Sequence, residues 1–343
     1  MQIGERIVKW FQTHGRDLDW RESQDPYHIW VSEIIFQQTR IKQGAEYFYR
    51  FMDRFPNVFE LAKADQDEVL KYWEGLGYYS RARNLHFTAK YVVQELDGKF
   101  PEDYQSLMKL KGIGPYTARA IGSFAFGNQV GVLDGNVLRV VSRLTGDFSP
   151  INDLKARKVY QATVDHWVQP VSSRWFNYGM MDLGASVCTP TRPGCLICPV
   201  QETCIAYREG LIPHLPQKKK TLVRKVRYFN FLLVRDSSGS IAIRKRPDKV
   251  FWGGLWEIPN VEISQNDWMD VSCPPGGEKG IKLKHVFTHF DMMIRVCLME
   301  RKDFEGSAEC EFITSDKIRN FAFSRAVLKI FEAYFGTDEV KGS

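Results

Sequence analysis

Apolar positions recur at helical spacing through residues 1–210. The pattern covers 3–11, 29–51, 67–73, 82–96, 104–110, 117–126 and 137–144. Gly, Pro and Asp punctuate these runs. Around Pro213 and Pro216 the helical period stops. From Val226 the pattern is that of strands. Residues 228–235 and 240–246 flank Asp236-Ser237-Ser238-Gly239 and predict a β-hairpin. Residues 285–299 are rich in strand formers, and 321–335 return to a helical period. The prediction is a multidomain chain: an all-α domain over 1–213 and an α+β domain over 228–343.

The chain has 343 residues, enough for two domains. With 44% hydrophobic and 26% charged residues, disorder, collagen and coiled coil are excluded as whole-chain descriptions. Apolar runs such as 231–234 fall far short of the roughly 20 residues of a spanning helix. The start, Met1-Gln2-Ile3-Gly4-Glu5-Arg6, lacks a basic segment followed by an apolar core. The expectation is a cytoplasmic, non-secreted protein that makes no use of a membrane.

Charge is concentrated between the two domains. Residues 214–227 hold Lys218, Lys219, Lys220, Arg224, Lys225 and Arg227 without an acid, which equals the whole net charge of +6. Such a linker suits a polyanion partner and suits a solvated connector equally well. Seven cysteines without a leader argue against a disulfide framework. Cys273, Cys297 and Cys310 are expected as inert thiols. Cys188, Cys195, Cys198 and Cys204 follow C-x6-C-x2-C-x5-C in a loop with Pro190, Pro193, Gly194 and Pro199. Four thiolates so spaced can wrap one metal centre, and zinc or a cubane iron–sulfur cluster would both satisfy them.

Three further segments carry candidate chemistry. In Leu110-Lys111-Gly112-Ile113-Gly114-Pro115, two glycines allow a tight turn and Pro115 suits the first position of a helix. The free N–H groups there form an anion site suited to phosphate, or the segment is a plain helix–turn–helix connector. Glu33 is the only charged residue between Pro26 and Thr39. On an apolar helix face it loses solvation, its pKa rises, and it becomes a proton donor near neutrality. Asp134, before the helical stretch 137–144, reads as an N-cap and also as a carboxylate held ionised by the helix dipole. One neutral acid and one carboxylate form the pair that breaks glycosidic bonds.

Taken together, WVSEIIFQQT (30–39), GLGYYSRARNL (75–85), LKGIGPYTARAI (110–121), VLDGNVLRV (132–140) and the cysteine spacing resemble the helix-hairpin-helix DNA glycosylases that carry a 4Fe–4S cluster. Within that family they are most similar to the MutY-type adenine glycosylases. The resemblance implies excision of adenine mispaired with 8-oxoguanine or guanine in duplex DNA by a monomer. It implies a 4Fe–4S cluster on Cys188, Cys195, Cys198 and Cys204. It makes Glu33 the acid that protonates adenine and Asp134 the stabiliser of the oxocarbenium ion, with Tyr116 and Asn136 near the flipped nucleotide. Gln38 and Tyr79 match residues that wedge beside the mispair, where a surface amide and core packing are the plain alternatives. Arg81 and Arg83 match backbone contacts or a solvated helix start, and Lys111, Gly112 and Gly114 form the phosphate-binding hairpin.

The second domain looks like the family's MutT-like domain through Gly253-Gly254-Leu255-Trp256, but lacks the R-E-x-x-E-E run that binds magnesium in true Nudix hydrolases. It is expected to recognise rather than hydrolyse, and Phe287-Thr288-His289 match the loop that reads the oxidised guanine. Tyr116 stands where bifunctional relatives place a Schiff-base lysine, and a tyrosine cannot form an imine. The expectation is therefore a monofunctional enzyme. The alternatives are an endonuclease III-like glycosylase with lyase activity and a non-enzymatic iron–sulfur DNA-binding protein.

Overall fold

The computed structural model describes residues 2–337 apart from 38, 40, 170, 220–223, 271, 272, 288 and 289, with no side chain described for residue 307. The chain divides into two compact units. One comprises Met1–Phe48, Phe55–Phe59 and Phe87–Thr221; the other comprises Tyr49–Arg54, Glu60–His86 and Leu222–Ser343. The change of period marks where helices give way to strands. The packing units cut across it, because residues 60–86 are tied to the strand-bearing segment.

Helices come first in the chain: α1 (Ile3–His14), α2 (Pro26–Ile35), α3 (Ile41–Arg54), α4 (Val58–Lys63), α5 (Gln66–Tyr72), α6 (Ser80–Glu95), α7 (Tyr104–Leu107), α8 (Pro115–Phe126), α9 (Gly135–Thr145), α10 (Leu154–Val168), α11 (Ser173–Asp182) and α12 (Ile205–Arg208). Their starts follow from local chemistry. Asp25 caps α2 through the Tyr27 N–H at 2.8 Å, with Pro26 in the first turn. Asp134 caps α9 through the Val137 N–H at 2.7 Å. Gly127 and Gly146, both in the left-handed region, end α8 and α9. Trp30, Ile121, Phe124, Val141 and Phe176 fill the core that α2, α8, α9 and α11 share.

The predicted helix 29–51 is in fact two. α2 stops at Ile35 and α3 starts at Ile41. Phe36 closes the last turn of α2, its N–H donating to the Ser32 carbonyl at 2.9 Å, and its ring stacks on Trp20 at 4.6 Å, a tertiary contact that periodicity does not encode. Two further helices, α10 and α11, lie outside the helical runs read from the sequence: α10 buries only the narrow stripe Ala156, Tyr160, Val164 and Val168, and α11 buries Arg174, Asn177 and Asp182 among its apolar residues.

In the second unit β1 (Lys225–Arg235), β2 (Ile241–Lys245), β3 (Trp256–Glu257), β4 (Asn260–Ile263), β5 (Gly277–Val286), β6 (Phe290–Glu300) and β7 (Glu311–Ile313) form a mixed sheet. The order is β3-β2-β1-β6-β5, with β4 on β1 and β7 on β2. β1 and β6 run parallel, from Lys225 opposite Phe290 to Arg235 opposite Glu300. α13 (Gln265–Met269) follows β4, and α14 (Arg325–Phe335) closes the chain. Phe231, Val296, Phe323, Val327 and Phe331 lie in the core of this unit. Residues 60–86 join it through Lys71, which donates to the Phe321 carbonyl at 2.9 Å, and Glu74, which accepts from the Phe323 N–H at 2.8 Å.

Two expectations about side chains change. Cys273 and Cys297 are a disulfide rather than two inert thiols, with Cα atoms 5.8 Å apart. Folding β5 back on β6 brings them together across 24 residues, which spacing alone does not reveal. Cys310 is free. The basic linker is partly neutralised: Lys219 pairs with Asp153, Arg227 with Glu262, and Arg224 approaches Asp291 at 3.7 Å. Among the described residues no helix is long and apolar enough to cross a membrane.

Candidate active site

A cavity of about 830 Å³ opens in the first unit, and Glu33, Tyr116, Asp134, Asn136, Gly112 and Gly114 all line it. Glu33 projects from α2, an otherwise apolar helix whose neighbours Ile29, Trp30 and Ile34 are buried. Burial raises its carboxyl from 4.5 to about 7, against the lowering effects of the Tyr116 hydroxyl and of Arg21. The Tyr116 hydroxyl donates to Glu33 Oε2 at 2.6 Å. Burial, and then the charge of Glu33, push the Tyr116 pKa well above its usual value, so this donor keeps its proton. It fixes one carboxyl oxygen and leaves Oε1 to carry the acidic hydrogen.

Asp134 sits at the start of α9 on the same cavity. Besides the Val137 N–H it accepts from Asn136 Nδ2 at 3.1 Å. Burial nevertheless pushes its carboxyl above the ordinary value. The three donors around it still favour the anion. Asn136 is itself held, because Arg139 donates to its Oδ1 at 3.0 Å and to the carbonyls of Gly184 and Cys188 at 2.6 and 2.8 Å.

The hairpin occupies the same wall. Gly112 has φ +81°, which an L side chain rarely adopts, and Gly114 caps α8 before Pro115. The first-turn N–H groups of α8 have no partner inside the helix, the arrangement that suits an anion. Lys111 lies 4.2 Å above the Phe87 ring.

Sequence reasoning missed Trp20, Arg16, Arg21, Tyr178 and Asp182. The first four line the cavity. Asp182, 0% exposed, accepts from Arg16 and from both terminal nitrogens of Arg21 at 2.5–3.0 Å. Arg21 lies 4.5 Å over the Tyr178 ring and is thereby aimed at the cavity rather than at solvent. The one local signal was a pair of arginines around an exposed-looking tryptophan; their partner is more than 160 residues away.

The four cysteines of residues 188–204 line one largely apolar cavity with Arg143. Among the described residues no three His, Cys, Asp or Glu side chains are placed to share a single ion. Burial raises the Cys195, Cys198 and Cys204 thiols above their ordinary value, so a metal centre bound there would have to displace their protons. Arg143, 2% exposed, organises the loop. It donates to the carbonyls of Leu215, Thr189 and Pro190 at 2.7–3.0 Å and stands 3.4 Å from Cys188 Sγ. Arg143→Ala orphans these acceptors and is expected to cost about 3 kcal/mol in urea unfolding; a variant as stable as the parent would contradict this role.

Most of the other predicted contacts fall in the second unit. Tyr79 is 6% exposed, its hydroxyl donates to the Phe323 carbonyl at 3.2 Å, and it does not offer a wedge. The exposed ring is its neighbour Tyr78, 45% exposed. Left-handed backbone at Gly75, Gly77 and Tyr78 rotates the pair so that the first tyrosine faces out. Arg81 lies over the Trp73 and Tyr78 rings, and burial lowers its pKa to about 10. Arg83 donates to the Gly253 carbonyl. Both contact the protein's own groups in the absence of DNA. Phe287 stacks on Phe290 at 4.5 Å in the β5–β6 turn. Gln38, Thr288 and His289 lie outside the described residues. After Pro259 the chain forms β4 rather than a carboxylate-bearing helix, and Glu257, 3% exposed, is bound by Arg244, Arg246 and Asn260.

Comparison with known proteins agrees with this arrangement. The HhH-GPD superfamily of base excision DNA repair proteins matches residues 31–180, and the NUDIX domain matches 230–333. The adenine DNA glycosylase of Buchnera aphidicola subsp. Schizaphis graminum (strain Sg) is 34% identical over 312 residues, covering 89% of this chain and 89% of that protein. The adenine DNA glycosylase of Mus musculus is 30% identical, covering 96% of this chain and 77% of that protein. A solved thermostable thymine-DNA glycosylase covers 60% of this chain and 95% of its own, with TM-score 0.55 and 27% identity. Fold and cavity define a helix-hairpin-helix base-excision glycosylase followed by a NUDIX domain. The chain belongs to the adenine DNA glycosylase family.

Proposed function

We propose that the chain removes adenine mispaired with 8-oxoguanine or guanine from duplex DNA by hydrolysing its N-glycosidic bond, without cutting the backbone. The observation that carries this reading is a buried Glu33, its carboxyl raised to about 7, and a hydrogen-bonded Asp134 facing one cavity that Gly112 and Gly114 also line. A glycosidic bond inside stacked DNA is out of reach, so the nucleotide must swing out, at a few kcal/mol. The hairpin N–H groups hold the backbone while the adenine enters.

Glu33 then gives its hydrogen to a ring nitrogen of adenine. The bond from the sugar to the base breaks, and its electron pair leaves with the base. The Asp134 carboxylate faces the positive charge that develops on the sugar. Water adds to that carbon and returns a proton to Glu33. Tyr116 holds Glu33 in place and offers no amine for an imine. That supports base release alone over the lyase reading.

Cys188, Cys195, Cys198 and Cys204 would hold a 4Fe–4S cluster, which supplies order to its loop. Arg139 connects that loop to Asn136, so an ordered loop keeps Asn136 against Asp134. Iron and sulfide analysis is expected to return about four of each per chain; one zinc and no sulfide would overturn this assignment. Phe287, Thr288 and His289 are proposed to read the base opposite adenine, in a domain without the acids that Nudix hydrolysis needs.

The test is single-turnover base release from duplexes with adenine opposite 8-oxoguanine, guanine or thymine, followed by borohydride. Adenine should appear fastest opposite 8-oxoguanine, with no protein–DNA adduct. A preference for oxidised pyrimidines, together with a trapped adduct, would favour the lyase reading instead.

A further inference from the structure

A second cavity of about 450 Å³ lies in the same unit, lined by Phe11, Gln12, Gly15, Asp17, Glu22 and Trp175 among others. Four of its wall residues, Arg16, Leu18, Arg21 and Tyr178, also line the catalytic cavity. The two spaces therefore adjoin along these four residues.

Its surface suits a small planar base. Trp175 is 41% exposed although Phe11 lies 5.9 Å from its ring and the Arg174 guanidinium 5.4 Å. An indole that is supported yet uncovered is a stacking platform. Asp17 and Glu22 have no side-chain partner among the described residues, so acceptors for an exocyclic amino group stand beside it. The shared wall has a movable part. Arg16 has a side chain 33% exposed, and Asp182 keeps Arg21 as a partner when Arg16 swings away.

Geometry also creates the need for such a space. A duplex held at Gly112 and Gly114, which line the catalytic cavity, would lie across it and leave the released base behind. We propose that the second cavity is the exit subsite for free adenine, which stacks on Trp175 while the abasic duplex is still bound. The inference rests on adenine release in the catalytic cavity, and its test separates the two.

Carbon-14 adenine is dialysed to equilibrium against the full-length chain bound to a duplex with a tetrahydrofuran abasic analogue. Binding is expected to the complex, and Trp175→Ala should weaken it roughly tenfold. Single-turnover release from an adenine–guanine duplex should not change in that variant. Gln12→Trp, at an exposed position, fills the cavity and should have the same effect should Trp175→Ala fail to fold. Glu33→Gln should bind adenine as the parent does. Undiminished binding in Trp175→Ala or Gln12→Trp, or adenine binding to the free chain but not to the complex, overturns the exit subsite while leaving adenine release intact. Absence of release by the parent chain overturns the catalytic reading itself.

Discussion

Glu33→Gln is expected to slow single-turnover adenine release by about 10²–10⁴-fold, the range that a positioned general acid supplies. The amide keeps the size and the contact with Tyr116 but has no acidic hydrogen. The wild-type rate should be level at low pH and fall as pH rises through about 7, where Glu33 ionises. Stability follows the same group with a definite sign. A folded-state pKa raised from 4.5 to about 7 means that the folded chain binds this proton more tightly than the unfolded chain. The favourable contribution is full below the unfolded value and is lost as pH rises through the folded one. Above that point an ionised Glu33 costs about 3 kcal/mol. Glu33→Gln should accordingly gain stability relative to the parent between pH 5 and pH 8, in urea titrations at each pH. A variant that loses activity and gains nothing at high pH would mean that Glu33 is ionised throughout.

Asp134→Asn and Asp134→Ala should separate the two duties of Asp134. Asn is as good an N-cap as Asp, so Asp134→Asn should unfold within about 0.5 kcal/mol of the parent, while Asp134→Ala should lose about 1–2 kcal/mol. Both should lose about 10²–10³-fold in adenine release, because neither places a negative charge beside the developing cation. Near-parental turnover by Asp134→Asn would reduce Asp134 to a cap. Loss that tracks unfolding in both variants would have the same meaning.

Much of this arrangement was legible in the chain because its signals are local. Glu33 stands out as one charge in an apolar helical run. Asp134 and Pro115 mark helix starts through capping and the fixed φ of proline, and the glycine spacing of the hairpin is a backbone requirement. The change of period located the strands. What failed depends on tertiary partners. The break between α2 and α3 falls inside a continuous apolar pattern, beside a Phe36–Trp20 stack that no local window shows. Tyr78 and Tyr79 are adjacent and chemically alike, and a left-handed turn decides which is buried. Arg16, Arg21 and Asp182 meet across the fold, so no window of sequence contains them. Cys273 meets Cys297 only once β5 pairs with β6. The charge of Arg81 and Arg83 is visible in the sequence, while their aromatic and carbonyl neighbours are not.

The most direct test is titration of the Glu33 carboxyl itself, by carbon-13 NMR of the folded chain labelled at glutamate side chains, with Glu33→Gln to assign the signal. A midpoint at about 7 is the predicted result. A midpoint at the ordinary 4.5 would leave no acid to protonate adenine at neutral pH and would contradict the account.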